Sequence, residues 1–257
     1  MLSIRESQVR TFEERAQRAF EDEMVAHLAD FSPPLFKTLG ETQMRVAVRF
    51  GVVRAAAHDF TLRGPVRLYL EMMLLFGSHF ETDPQYPWAA AILKKLDVEQ
   101  MERAELLYEK TVDYREQVVG PDDAYALKAL RNISMLAQQP LLIPSEEFVA
   151  YMRQEIARVY PQKAAYMGQE GIDALIRKGM DGARRQRFST TRAAALIVVL
   201  MLAFGHGCGA DPLYPWIVRT LKDESIVAPE ARAKRLEKKA LTWLEHVLAY
   251  FEKGAQA

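Results

Sequence analysis

Two aspartates in a repeated motif are the residues whose type and spacing first suggest chemistry. Asp83 and Asp211 each begin the sequence Asp-Pro-x-Tyr-Pro-Trp, and they lie 128 positions apart. Two carboxyl groups brought together by pseudo-symmetry are able to act as acid and base. Neither aspartate lies in a motif that tunes a carboxyl group for this work. A small helical enzyme that uses Asp83 and Asp211 is therefore kept as an alternative.

The other candidate nucleophiles and ligands form no recognised motif. His206 and Cys208 lie close together, but no third ligand or orienting acid accompanies them. The chain has no His-Glu-x-x-His sequence and neither of the glycine-rich phosphate-binding sequences. We therefore predict no catalytic residues, no metal site and no cofactor, and a protein that is not an enzyme.

The aspartates belong to a longer loop that occurs twice. Residues 76–88 read FGSHFETDPQYPW, and residues 204–216 read FGHGCGADPLYPW. The prolines preset extended backbone followed by a helix start, so we interpret the loop first as a structural corner. Alternatively, the loops project as a pair and bind a partner protein. The partner-binding candidates are then Asp83, Tyr86, Trp88, His206, Asp211, Tyr214 and Trp216.

The spacing of 128 residues extends well beyond the loop. Matching pairs include Phe20 with Phe148, Met24 with Met152, Pro33 with Pro161, Gly40 with Gly168, and Met73 with Met201. A repeat of this length indicates gene duplication and two units of similar fold. We define the first unit as residues 1–120 and the second unit as residues 141–257. Residues 121–140 join them, and we expect one compact body.

The periodicity predicts an all-α fold. Apolar residues recur every three or four positions, and no stretch alternates for the length of a strand. The predicted architecture is two tandem helical bundles related by a pseudo-twofold axis. In the first unit we expect helices over about 4–29, 41–57, 64–77 and 98–118, with a short helix that starts at Pro87.

The residues between the units predict a connecting helix that is buried between the halves, since its apolar residues cover a broad face. One difference between the units supports a covering element. Arg67 and Glu71 mark a solvent face in the first unit, whereas the equivalent residues in the second unit are Ala195 and Val199. We expect the connecting helix or the opposite unit to cover this apolar face, with a partner protein as the alternative.

Composition excludes several classes of partner. Lysine plus arginine and aspartate plus glutamate both number 34, so no net charge draws the chain to nucleic acid or anionic lipid. The lysine- and arginine-rich residues 231–239 are interpreted as a solvated face. The longest apolar run, 193–204, is too short to span a membrane. With one cysteine and no visible export signal, we expect a cytoplasmic protein.

The repeated loop resembles one found in uncharacterised helical proteins of bacterial type VI secretion effector clusters. The resemblance also covers the opening helix pattern of Phe12, Phe20, Met24 and Leu28. The second copy departs from it, because Cys208 and Ala210 stand in the places of Phe80 and Thr82. The resemblance carries no catalytic residues.

What the resemblance implies is a non-catalytic accessory, an adaptor or chaperone that loads an effector onto the secretion spike. Its binding site would be a groove between the units, lined by the paired loops. An immunity protein that binds and blocks a toxin is the alternative. Both functions require a protein partner.

Overall fold

The structure is a computed structural model that describes residues 6–139 and 145–254. Within these ranges the regular elements are helices, and no strand is present, as the periodicity predicted. The helices are α1 (Glu6–Phe31), α2 (Pro33–Ala56), α3 (Arg63–Phe76), α4 (Pro87–Leu93), α5 (Gln100–Tyr114), α6 (Ala124–Ala137), α7 (Phe148–Val159), α8 (Pro161–Arg185), α9 (Thr191–Phe204), α10 (Pro215–Leu221) and α11 (Pro229–Gly254).

Two pairs of helices that lie 128 positions apart have matching bounds. The helices α3 and α9 begin and end at equivalent residues, and so do α4 and α10. The backbone angles φ and ψ are 88° and 154° at Gly77, and 86° and 153° at Gly205. Gly40 and Gly168 interrupt α2 and α8 with φ of 75° and 65°. The two units therefore have the same helix order and the same backbone at these turns.

The predicted start of the second helix near residue 41 is confirmed, because the non-helical angles of Gly40 (φ 75°, ψ 164°) separate residues 41–56 from the first part of α2. Sequence reasoning missed that first part, which begins at Pro33 directly after α1 ends at Phe31. Proline fits a first helical turn because its missing amide hydrogen is not needed there. Gly40 bends the helix just before the predicted start. The predicted start of the first helix, at residue 4, lies outside the described residues.

Each unit has its own apolar core, and the cores meet at the loops. Met24, Met44 and Tyr69 belong to the first core, and Ile156 and Leu175 belong to the second. Leu213 comes from the second loop but is buried in the first core. The halves are therefore packed together where the repeated sequences lie.

The connecting helix α6 lies at the surface of the junction and is not buried between the halves as predicted. It packs on α7, on α11 and on the turn after α5. Of its residues only Ala129 is fully buried, because Lys128 and Arg131 keep its outer side in water. Its inner side lines the same apolar cavity as Ala195, which is 5% exposed.

The apolar run predicted as a core helix forms α9. Eight of its residues are buried in the second core. Among the described helices, none combines the length and the apolar character that a membrane span requires.

Candidate functional site

The two repeated loops pack directly against each other through an exchange of carboxylates. The Oδ2 atom of Asp83 accepts a hydrogen bond of 2.6 Å from the backbone amide of His206. The Oδ2 atom of Asp211 accepts one of 2.7 Å from the backbone amide of Ser78. Ser78 and His206 occupy equivalent positions in the two loops. Each aspartate therefore holds the opposite loop at the same place.

Each carboxylate also fixes its own loop. The Oδ1 atom of Asp83 accepts from the amide of Gln85 at 2.9 Å, and the Oδ1 atom of Asp211 accepts from the amide of Leu213 at 2.8 Å. The hydroxyl of Ser78 adds a bond of 2.6 Å to Asp211. Charged acceptors of this kind form the stronger protein hydrogen bonds. The Asp-Pro sequence thus closes one turn and fastens the other loop.

Two glycines permit this close approach. A Cβ atom on Gly77 would lie 2.5 Å from the carbonyl oxygen of Phe204, and one on Gly205 would lie 2.7 Å from that of Phe76. Both glycines also have a positive φ, a backbone conformation that is unfavourable for residues with a Cβ atom. Glycine is therefore required in both loops, because the backbone of each loop lies directly against the backbone of the other.

The expectation that the loops project as an exposed acidic and aromatic pair is wrong. The exposed fraction is 3% for Asp83, 3% for Tyr86 and 1% for Asp211, because the loops bury each other. Burial raises the pKa of Asp211, and the hydrogen bonds from Ser78 and Leu213 oppose that rise. The groove expected between the units is filled by the loops themselves.

The remaining candidates are partly buried supports of the corner. The ring of Trp88 meets Phe76 edge to face, with centroids 5.8 Å apart, and Trp216 meets Phe204 in the same way at 5.9 Å. Tyr214 lies 4.6 Å from the ring of Phe204. These contacts match the interpretation of Tyr-Pro-Trp as an anchor for a helix start.

His206 keeps some access to solvent, whereas Cys208 does not. The side chain of His206 is 15% exposed, and its ring lies 6.1 Å from the ring of His79. Cys208 is buried in the second core, and burial raises its pKa to about 12. Its thiol is therefore protonated at neutral pH. Among the described residues no group of three histidine, cysteine or acidic side chains is placed to hold a metal ion.

Sequence reasoning missed a polar cluster beside the first loop. Arg54 forms an ion pair with Glu81, which is buried, and His79 packs on Phe50 at 5.4 Å. Burial and the nearby charge of Arg54 lower the pKa of His79 to about 4, so its ring is neutral at pH 7. The equivalent positions in the second unit are Gly182, Gly209 and Gly207. That contrast between the copies was the available signal.

A second missed group lies where the units meet. Lys163 is buried, donates a 2.7 Å hydrogen bond to the carbonyl of Leu202, and lies 5.7 Å and 5.9 Å from the ring centres of Tyr86 and Tyr160. Burial lowers its pKa to about 8. Its equivalent in the first unit is Leu35. A buried lysine next to aromatic rings is stabilised by cation–π attraction but remains costly to desolvate.

An apolar concavity lies away from the loops, on the second unit. This apolar groove has a cavity of about 110 Å³ between α6, α7, α9 and α11. Carbon atoms form nearly all of its wall, which includes Leu130, Ile133, Tyr151, Leu196, Val199, Ala203, Leu241 and Trp243. Arg192 is paired with Glu237 at 2.5 Å and also donates to the carbonyl of Ala137, which fastens the end of α6 to α9.

Comparison with known proteins adds no relative. No family model matches the chain, and neither a curated protein nor a solved structure matches it.

Proposed function

We propose that this protein is a non-catalytic protein-binding accessory, an adaptor or chaperone that holds an apolar segment of a partner. The observation that carries the proposal is the apolar groove between α6, α7, α9 and α11. Large apolar concavities on a protein surface mark binding sites more often than chance. The cavity is of the size that accepts one ring or a branched aliphatic side chain, since engineered cavities of about 150 Å³ bind benzene.

The surrounding structure suits a preformed binding site. The groove is walled by four helices, and Ala203 on its wall is exposed. The exchanged aspartates and the glycine contact hold the two halves rigidly at the loops. A rigid site loses little entropy when a partner binds, which favours affinity.

We also propose that the fold arose by duplication of one helical unit. The matching helix bounds, the equal angles at equivalent glycines and the reciprocal aspartate bonds support this origin. After duplication the second unit changed, because α6 came to lie over its apolar face. The groove belongs to that changed surface.

The biological setting proposed is the bacterial cytoplasm, with a type VI secretion effector or spike component as the partner. The resemblance of the repeated loop is the support for this setting. In that role the groove would keep an apolar effector segment covered until it is loaded.

The test is purification of the tagged protein together with the products of its neighbouring genes. We expect an effector and a spike protein to copurify, and Ala203→Glu to abolish their recovery because it places a charge in the groove. Leu75→Glu is the matched control, since Leu75 is the equivalent exposed residue in the first unit and should leave recovery unchanged.

Other outcomes decide against the proposal. Recovery of a toxin alone, inactive until it is released, would favour the immunity alternative. Equal recovery with Ala203→Glu would exclude the groove as the binding site. Turnover of a small molecule that is lost on changing Asp83 or Asp211, while the fold is kept, would favour the enzyme alternative.

A further inference from the structure

We propose that a second cleft, between α10 and α11, binds a partner segment that carries an aromatic side chain beside acidic residues. This inference rests on the proposed protein-binding function but concerns a neighbouring surface, which shares Trp243 with the apolar groove. The cleft has a volume of about 410 Å³. Its lining is Trp216, Arg235, Lys238, Lys239, Thr242, Trp243 and His246.

The floor of this basic aromatic cleft is held in place by the second core. The ring centre of Trp243 lies 4.6 Å from that of Phe204, and the ring of Trp216 meets the same phenylalanine at 5.9 Å. Both indoles are only partly buried, so each presents ring surface to the cleft. Tryptophan fixed in this way offers a large contact area at low entropic cost.

The charges that line the cleft have one sign. Arg235 lies 3.7 Å from Asp223, and Lys239 donates to the hydroxyl of Thr220 at 2.9 Å. Lys238 is exposed and forms no ion pair with a carboxylate in the described part of the chain. Residues 231–239 are therefore more than the solvated face that the sequence suggested. A cleft lined by cations favours an acidic occupant.

The nearest carboxylates are already engaged or lie outside the cleft. Glu237 is paired with Arg192 at 2.5 Å, and Asp223 also accepts from the hydroxyl of Ser225. Glu245 lines a neighbouring hollow on the other side of Lys238. Asp223 therefore partly neutralises Arg235, whereas Lys238 remains in the cleft without a carboxylate partner among the described residues.

The equivalent place in the first unit is occupied, and its occupant indicates what fits. Trp88 and Tyr114 stand where Trp216 and Thr242 stand in the second unit. The ring of Tyr166, from α8, meets Tyr114 edge to face at 5.1 Å. The hydroxyl of Tyr160 donates to the carbonyl of Val118 at 3.0 Å. Aromatic side chains from a helix of the other half thus fill this place.

The first unit offers no aromatic side chain at the positions equivalent to these tyrosines. The residues equivalent to Tyr160, Lys163 and Tyr166 are Ser32, Leu35 and Thr38. None of these carries an aromatic ring, and Thr38 is exposed. The place that tyrosines occupy in the first unit is thus an open cleft in the second unit. An aromatic side chain presented by a partner helix, with acidic neighbours for the cations, fits this opening.

The probe is a set of three fluorescently labelled helical peptides in one alanine and glutamine host. The first carries one tyrosine, presented from a helix as Tyr166 is, with four flanking glutamates. The second replaces the tyrosine with leucine, and the third replaces the glutamates with lysine. Anisotropy titrations should show saturable binding of the first peptide that weakens as salt is added. The other two should bind at least about tenfold more weakly.

Lys238→Glu should weaken binding of the first peptide by about tenfold or more, because it reverses an exposed charge in the cleft. Lys110→Glu is the matched control, since Lys110 is the exposed equivalent in the first unit. Circular dichroism checks that both variants are folded. Equal losses in the two variants, equal binding of the three peptides, or no binding of the first peptide would overturn the proposal. Tighter binding of a single-stranded oligonucleotide would also overturn it, in favour of a general polyanion surface.

The groove variant separates this inference from the proposed function. Ala203→Glu should leave peptide binding in the cleft unchanged while it removes copurified partners. If the peptide binds as expected but Ala203→Glu has no effect on copurification, the groove is wrong and the cleft stands. If copurification depends on Ala203 but the peptide does not bind, the cleft is wrong and the groove stands.

Discussion

The outer face of α3 in the first unit carries Arg67 and Glu71, whereas the equivalent face of α9 in the second unit carries Ala195 and Val199. Arg67 and Glu71 pair with each other at 3.0 Å, with Arg67 facing water. Ala195 is buried and lines an apolar cavity that α6 also lines. Two helices with the same bounds are therefore packed differently because their side chains differ. The bounds of α3 and α9 are equivalent, but their surfaces differ.

The interior differs between the units as well. The first unit has the polar side chains of Arg54 and His79 at positions where the second unit has glycine. In the opposite sense, Leu35 of the first unit corresponds to the buried Lys163. The shared parts are the contacts between the loops, where a change on one side disturbs the other. Shared contacts and divergent surfaces should respond differently to substitution.

The largest effect is expected where the loops touch. Gly77→Ala and Gly205→Ala should each cost about 4 kcal/mol or more, because the new methyl group meets backbone that cannot move away. Urea unfolding followed by circular dichroism measures the cost. The control is Gly40→Ala, which has the same positive φ but no atom within 4 Å. It should cost only the backbone strain of roughly 1–3 kcal/mol. Equal costs at Gly77 and Gly40 would refute the close contact.

The exchanged carboxylates come next. Asp83→Ala and Asp211→Ala should each cost about 3 kcal/mol, since buried amide donors on both loops lose their acceptor. The same unfolding measurement applies, and the two costs should agree within about 1 kcal/mol if the exchange is reciprocal. Asp181→Ala is an exposed control near Arg184, and it should change stability by less than about 0.5 kcal/mol. A large cost at only one aspartate would contradict the reciprocity.

The difference between the outer faces is tested by adding a charge. Ala195→Glu should destabilise the protein by about 3 kcal/mol, because the carboxylate would lie without a partner in the apolar cavity between α9 and α6. Arg67→Ala, at the equivalent position of the first unit, should cost at most about 0.5 kcal/mol. Thermal and urea unfolding report both values. Normal stability of Ala195→Glu would mean that α6 does not cover this face in solution.

The smallest expected effect is a gain. The fall in the pKa of Lys163 from 10.5 to about 8 corresponds to roughly 3 kcal/mol of desolvation cost. Lys163→Leu removes this cost and introduces leucine, the residue that the first unit has at the equivalent position 35. The variant also loses the hydrogen bond to the carbonyl of Leu202, which is worth roughly 1 kcal/mol. The variant should therefore be more stable than the wild type by roughly 2 kcal/mol at pH 7.

The gain should depend on pH in a defined direction. Between pH 8 and 10.5 the unfolded wild-type chain holds a proton that the folded chain has lost, so wild-type stability rises with pH. The advantage of Lys163→Leu should shrink through this window and stay constant below it. Unfolding of both proteins in urea at pH 7 and pH 10 measures the difference. Lys110→Leu, at an exposed lysine, should show no such dependence.

The sequence by itself determined the helical fold, most helix bounds and the positions of the two corner loops. Local rules account for this success, because apolar periodicity and proline act within a few residues of the chain. The same rules missed the short helical segment before Gly40, since Pro33 is able to begin a helix as well as to follow one.

Only the tertiary structure decided what the repeated residues contact. Asp83 and His206 are 123 positions apart, and no local pattern indicates that a carboxylate will cross to the other loop. Burial of Asp83 and Asp211, the neighbouring histidines and the open basic aromatic cleft all follow from how the units dock. Docking depends on side chains that differ between the copies, such as Thr38 and Tyr166. The chain repeats its elements, and long-range packing decides which surfaces remain free to bind.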